Sequence, residues 1–97
     1  MTIGVFEVRL LIRESRTLKD KRQVVRSILD RARSEWNVSA AEVESHDDVK
    51  VASLAFGVVA AESETARKVL NQIAEALRRH PVAEYLGGQL SVGTEIV

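Results

Sequence analysis

Residues 5–36, VFEVRLLIRESRTLKDKRQVVRSILDRARSEW, change hydrophobic period half-way, and the change decides how the chain folds. From Ile3 to Arg13 the residues alternate. Phe6, Val8, Leu10 and Ile12 fall on one face, with Glu7, Arg9 and Arg13 on the other, the pattern of a half-buried strand. Thr17 followed by Asp20 three positions on is a capping-box pattern. After it, Leu18, Val25, Ile28, Leu29, Ala32 and Trp36 keep helical spacing for about five turns. A strand therefore runs into a helix.

The same reading extends down the chain. Residues 38–45 and 50–61 are rich in β-branched and alanine residues and predict two strands, joined as a hairpin by His46, Asp47 and Asp48. Ser63 is placed to cap a second helix whose apolar stripe is Ala66, Val69, Leu70, Ile73 and Leu77, and Pro81 stops it. Asn37 suits a left-handed residue closing the first helix. Gly87 and Gly88 read as a turn before a last strand in which Leu90, Val92, Thr94 and Ile96 alternate with polar residues. Strand, helix, strand, strand, helix, strand is the order of the α+β ferredoxin-like split βαβ arrangement (βαββαβ), a four-stranded antiparallel sheet with two helices on one face. Residues 1–97 are expected to form a single domain of this kind.

Composition narrows the function classes. The chain has 14 Lys/Arg and 14 Asp/Glu, a formal net charge of zero, which argues against a strongly basic nucleic-acid binder. The balance is uneven, because residues 1–36 hold nine Lys/Arg against five Asp/Glu. There is no cysteine, so disulfides, thiolate metal sites and cysteine nucleophiles are excluded. The opening residues have neither a basic segment ahead of the apolar run nor a small-residue cleavage site after it, and Glu7 and Arg9 interrupt the run. A cytoplasmic protein without membrane association is the default expectation.

If the helices cover Phe6, Val8, Leu10, Leu54, Phe56, Val58 and Leu90, the open sheet face shows Val5, Glu7, Arg9, Leu11, Val51, Ser53, Ala55, Gly57, Val59, Ser91 and Gly93. RNA-recognition modules of this topology stack bases on aromatic residues at such positions, and none stands here, so base stacking on the sheet is not expected. Neither is DNA recognition. A face of small and apolar side chains suits close approach of a second copy, so Val5, Leu11, Val51, Ala55 and Val59 are candidate residues of a homodimer interface.

The first helix offers a different candidate. Turning about 100° per residue, Lys19, Arg22, Arg26 and Arg33 fall together on one flank, a ridge of four cations that Arg13 and Arg16 could extend. Such a ridge fits nucleic-acid phosphates, and such contacts position a protein without reading base sequence. The competing reading is a solvated amphipathic face, with Arg26–Asp30 and Arg31–Glu35 as four-apart ion pairs. Lys21 falls near the apolar stripe, where its stem would pack on the sheet end while its ammonium reaches out.

Catalysis finds no support. The size and topology are similar to those of acylphosphatases, but the loop RESRT has no glycine from which to build a phosphate nest. No serine has a paired histidine at a suggestive spacing. His46, Asp47 and Asp48 fit turn formation better than metal ligation, and His80 has no evident partner, so neither a metal nor another cofactor is expected. A small-molecule or metal-binding regulatory domain, resting on the fold and on these three loop residues, is the third reading after the RNA-contacting factor and the homodimer.

Taken together, GVFEVRLLI, SRTLKDKRQVVRSILDRARSEWNVSAAEV, ASLAFGVVA and the second helix ending near Pro81 resemble the YlxP-like family of small bacterial proteins, a domain of unknown function. The most specific parts are Thr17–Arg22 and Trp36–Val43. Trp36 stands where the family commonly has phenylalanine, and Val49 near where it often has tryptophan. The resemblance implies a ferredoxin-like fold and a bacterial cytoplasmic protein. Genes of the family often neighbour those for translation initiation and ribosome maturation, which implies ribosomal RNA or the ribosome as a partner.

Overall fold

The alternation at the start of the chain becomes strand β1 (Thr2–Leu11), and the helical periodicity after it becomes α1 (Leu18–Glu35). A computed structural model of the protein describes residues 1–94; Ile96, expected in the last strand, lies outside the described residues. Beyond α1 come β2 (Ser39–Glu44), β3 (Val51–Ala60), α2 (Ser63–Arg78) and β4 (Glu84–Gly93). The strands form one antiparallel sheet in the order β2-β3-β1-β4, the ferredoxin-like topology expected from the element order.

The register explains the core. Phe6 stands opposite Phe56 on one side and Leu90 on the other, and Phe56 opposite Ala40, so one row crosses the whole sheet on the helix-covered face. The rings of Phe6 and Phe56 stack with centroids 6.2 Å apart. Val8, Leu10, Leu54 and Val58 lie buried on the same face, beneath Val25, Ile28, Leu29 and Ala32 of α1 and Leu70, Ile73 and Leu77 of α2. Each of these valine, leucine and isoleucine side chains contributes about 1.5–3 kcal/mol by leaving water.

Helix α1 begins as its capping box requires. Asp20 N donates to Thr17 Oγ1 at 3.1 Å, and Asp20 Oδ2 accepts from Thr17 N at 3.2 Å and Arg16 N at 3.0 Å. Its end differs from expectation. Trp36, not a left-handed Asn37, closes the helix in an extended conformation, and Ser45 is the non-glycine residue with positive φ (61°) among those described. The indole Nε1 of Trp36 donates to Gln72 Oε1 at 3.0 Å, and Asn37 and Val38 lead on into β2.

Two other expectations are corrected. Ser63 is the first helical residue of α2 rather than its cap; extended Glu62 precedes it, and no side-chain cap forms. Gly87 and Gly88 are not a turn but lie inside β4, opposite Arg9 and Val8. Gly88 is a point of close approach: a Cβ there would come within 2.3 Å of Tyr85 Oη and 2.7 Å of Phe6 Cε1. The irregularity lies just upstream, where the β1–β4 register shifts between Arg9 and Leu10 and leaves Leu86 as the extra, exposed residue.

Candidate nucleic-acid interface

The helix motif LKDKR divides its charges between two jobs. Lys21 is wholly buried, contrary to the expectation that its ammonium reaches solvent. Its Nζ points into the end of the β2–β3 hairpin, donating to Ser45 O at 2.6 Å and Val51 O at 3.2 Å, with His46 O at 3.4 Å. Glu42 Oε2 lies 3.0 Å from the same nitrogen. Apart from this ion contact that oxygen, sealed from solvent, has no hydrogen-bond partner among the described residues. The position near the apolar stripe was legible in the sequence. The partners, carbonyls brought in by a hairpin more than 20 residues away, carry no residue signature.

The loop that receives Lys21 is shaped by its own residues. Asp48 Oδ1 accepts from Lys50 N and Val51 N, both at 2.8 Å, and those N–H groups, Val51 first, hold its carboxyl below the usual range. Lys50 Nζ reaches back to Arg13 O at 2.6 Å and Ser15 O at 2.9 Å, so the β1–α1 loop and the hairpin are tied from both sides. Asp48 thus acts as a turn former. Among the described residues no group of three or more His, Cys, Asp or Glu gathers to hold a metal.

The remaining cations of α1 face outward. Lys19, Arg22 and Arg26 are exposed and form no ion pair with a described carboxylate. Arg22, Arg26 and Arg33 border one shallow hollow between α1 and β2, together with Val25, Leu29, Asp30 and Glu42. Arg33 is partly committed there, since it donates to Ala40 O and lies 3.4 Å from Asp30. Asp30 accordingly pairs with Arg33, not with Arg26, whereas the Arg31–Glu35 pair forms as expected at 2.7 Å. Arg13 turns toward β4 and binds Glu84 at 2.8 Å. Arg16 is exposed beside the capping box, where its backbone N–H is the leading cause of the lowered Asp20 pKa.

On the open face, Val59 is 66% exposed, while Val5, Leu11, Val51 and Ala55 are half-buried. Ser53 is buried there, its hydroxyl 3.0 Å from that of Ser45.

Residues 3–89 match the model of a family described as protein of unknown function, DUF503. The chain belongs to this family. No curated protein matches it. Among solved structures it is similar to a de novo designed protein with ferredoxin fold, solved by solution NMR. That likeness covers all of this chain and 88% of the designed one, at 21% identity and a TM-score of 0.52, and it shows the fold. A REP-associated tyrosine transposase bound to a REP hairpin is also similar over 97% of this chain and 57% of its own, at 14% identity and a TM-score of 0.44. Among the described residues no helix is long and apolar enough to cross a membrane.

Proposed function

We propose that this DUF503 protein is a YlxP-like, non-enzymatic cytoplasmic factor that contacts phosphates of structured RNA, in translation or ribosome assembly, through the outer flank of α1. The observation that supports the reading most is the set Lys19, Arg22 and Arg26. These cations are exposed, without a carboxylate partner among the described residues, and rigidly spaced on a helix anchored at its first turn. Arg33 adds a fourth cation at the end of the ridge and Arg16 a fifth near its start. Arg13, engaged by Glu84, contributes only if that pair opens.

Three phosphate contacts, taken at the slope of about −0.9 per contact that holds for a B-form duplex, give a total of about −2.7, so affinity falls about 40-fold between 50 and 200 mM salt. Cosedimentation with ribosomal subunits across that range measures it. Arg22→Glu with Arg26→Glu abolishes the association and leaves the oligomeric state unchanged. Binding that survives the double reversal with the same salt slope refutes the ridge as the site.

A second reading is a homodimer through the open sheet face, favoured by the exposure of Val59 at the end of the open-face row Val51, Ser53, Ala55 and Gly57, whose last three residues are small. In that case Val59→Asp dissociates the dimer seen by sedimentation. A purely monomeric wild-type species at micromolar concentration excludes it.

A further inference from the structure

The two helices cover different parts of the sheet: α1 rests against β2, and α2 against β1, β3 and β4. Between them remains a cleft of about 230 Å³, larger than the roughly 150 Å³ that accommodates a benzene ring. Its apolar walls are the half-buried Trp36 and Ala76, backed by Ile28, Ile73 and Phe56. Trp36 is fixed in place by its bond to Gln72.

The charged lining of this cleft is one-sided. No carboxylate of the described residues lines it; its polar lining is Ser27, Arg31 and His80, and the last two are its titratable groups. Glu35 accepts from Arg31 Nε, leaving the two Nη nitrogens without a described partner. His80 Nδ1 accepts from Val82 N at 3.1 Å and Ala83 N at 3.0 Å. The neutral ring therefore carries its proton on Nε2, a donor with no described acceptor. Burial first, and then the neighbouring Arg31, holds the imidazole below its ordinary pKa and favours that neutral form. Two sets of N–H donors thus stand at one end of an apolar slot.

We propose that this cleft binds a small amphipathic anion, an aromatic or branched-chain carboxylate, with its apolar body against Trp36 and Ala76 and its carboxylate at Arg31 and His80. A carboxylate satisfies the donors that the fold leaves open, and the apolar body excludes water from the slot. The cleft shares no lining residue with the hollow beside Arg22 and Arg26, so this site is independent of the RNA reading.

The test is a titration of ¹⁵N-labelled protein with phenylacetate, indole-3-acetate and 3-methylbutanoate, with neutral indole-3-acetamide as the control. Saturable shifts confined to the surroundings of Ala32, Trp36 and Ala76, with an acid binding more tightly than the amide, are expected. Arg31→Gln, at an exposed position, weakens the acid by about tenfold and leaves the amide unchanged. Ala76→Phe fills the slot and removes both. Equal binding of acid and amide, shifts elsewhere, or no shift by any of the three acids at several millimolar overturns the proposal.

Discussion

Replacing Lys21 by methionine keeps the stem and deletes the ammonium, which isolates what the buried charge contributes. Four contacts are lost together: the hydrogen bond to Ser45 O, the longer ones to Val51 O and His46 O, and the ion contact with Glu42. The largest part of the cost is not the lost attraction. Glu42 Oε2 has no other partner among the described residues and is closed to solvent, so the variant leaves a carboxylate uncompensated. Breaking a buried pair from one side typically costs about 3–5 kcal/mol, a large fraction of the about 5–15 kcal/mol that holds a domain of this size folded. With a urea m-value of about 2 kcal/mol/M, the midpoint falls by about 2 M. Adding Glu42→Leu to Lys21→Met removes the stranded charge and recovers part of the loss. Recovery stays incomplete because the carbonyls of Ser45 and Val51 remain without this donor, at about 1–3 kcal/mol each where water does not reach them. Urea unfolding followed by circular dichroism measures all three proteins. A single variant within about 0.5 kcal/mol of wild type, or a double variant less stable than the single, refutes the argument.

Four further outcomes follow from local geometry. Gly88→Ala forces a Cβ against Tyr85 and Phe6 and lowers stability by about 1–3 kcal/mol, whereas Gly87→Ala, with nothing within 4 Å, stays within about 0.5 kcal/mol of wild type; thermal unfolding distinguishes them. Thr17→Ala removes the bond to Asp20 N and costs about 1 kcal/mol, read by the same method. His80 has a folded pKa below its ordinary 6.5, so the folded state binds fewer protons; its stabilisation is complete above pH 6.5 and is lost as pH falls through the folded value. Asp20 and Asp48, lowered from 3.8, act in the same sense at more acid pH, so chemical denaturation from pH 8 to pH 2 shows two successive declines, the first of which His80→Gln removes.

The sequence carried the element order because each element's pattern is local: alternation in β1, helical spacing after Thr17, a stop at Pro81. It misled wherever a residue's role depends on something distant. Gly87 and Gly88 have turn composition, yet Gly88 is glycine because Tyr85 and Phe6 occupy the space its side chain would need. Asn37 has the chemistry of a helix cap, but the helix has already ended at the extended Trp36, whose indole is bonded to Gln72, 36 residues away. The ridge was legible as angular spacing on one helix. What spacing could not reveal was how Arg13 and Arg33 are occupied, since Glu84 and the carbonyl of Ala40 come from other elements. The cleft between the helices left no trace at all in the pattern, because the spacing of an apolar stripe says which residues turn inward and not how far apart two stripes stand.

Lys21 also bears on the ridge beside it. Glu42 borders the same hollow as Arg22, Arg26 and Arg33, and an unneutralised carboxylate there would lower the positive potential of that flank. By turning inward, Lys21 compensates that charge at 3.0 Å while pinning the first turn of α1 to the hairpin. The unfavourable clustering of cations at a helix amino terminus is thereby resolved in two ways. One cation is withdrawn into a cage of carbonyls and a carboxylate, and Asp20 sits at the helix start, where the helix dipole favours an anion. Lys19 and Arg22 remain in solvent, where each costs only about 0.3–1 kcal/mol at low salt. A cost of that size is readily tolerated if the outer flank of α1 is the surface that meets phosphate, and the anchoring of Lys21 keeps that flank at a fixed angle to the sheet.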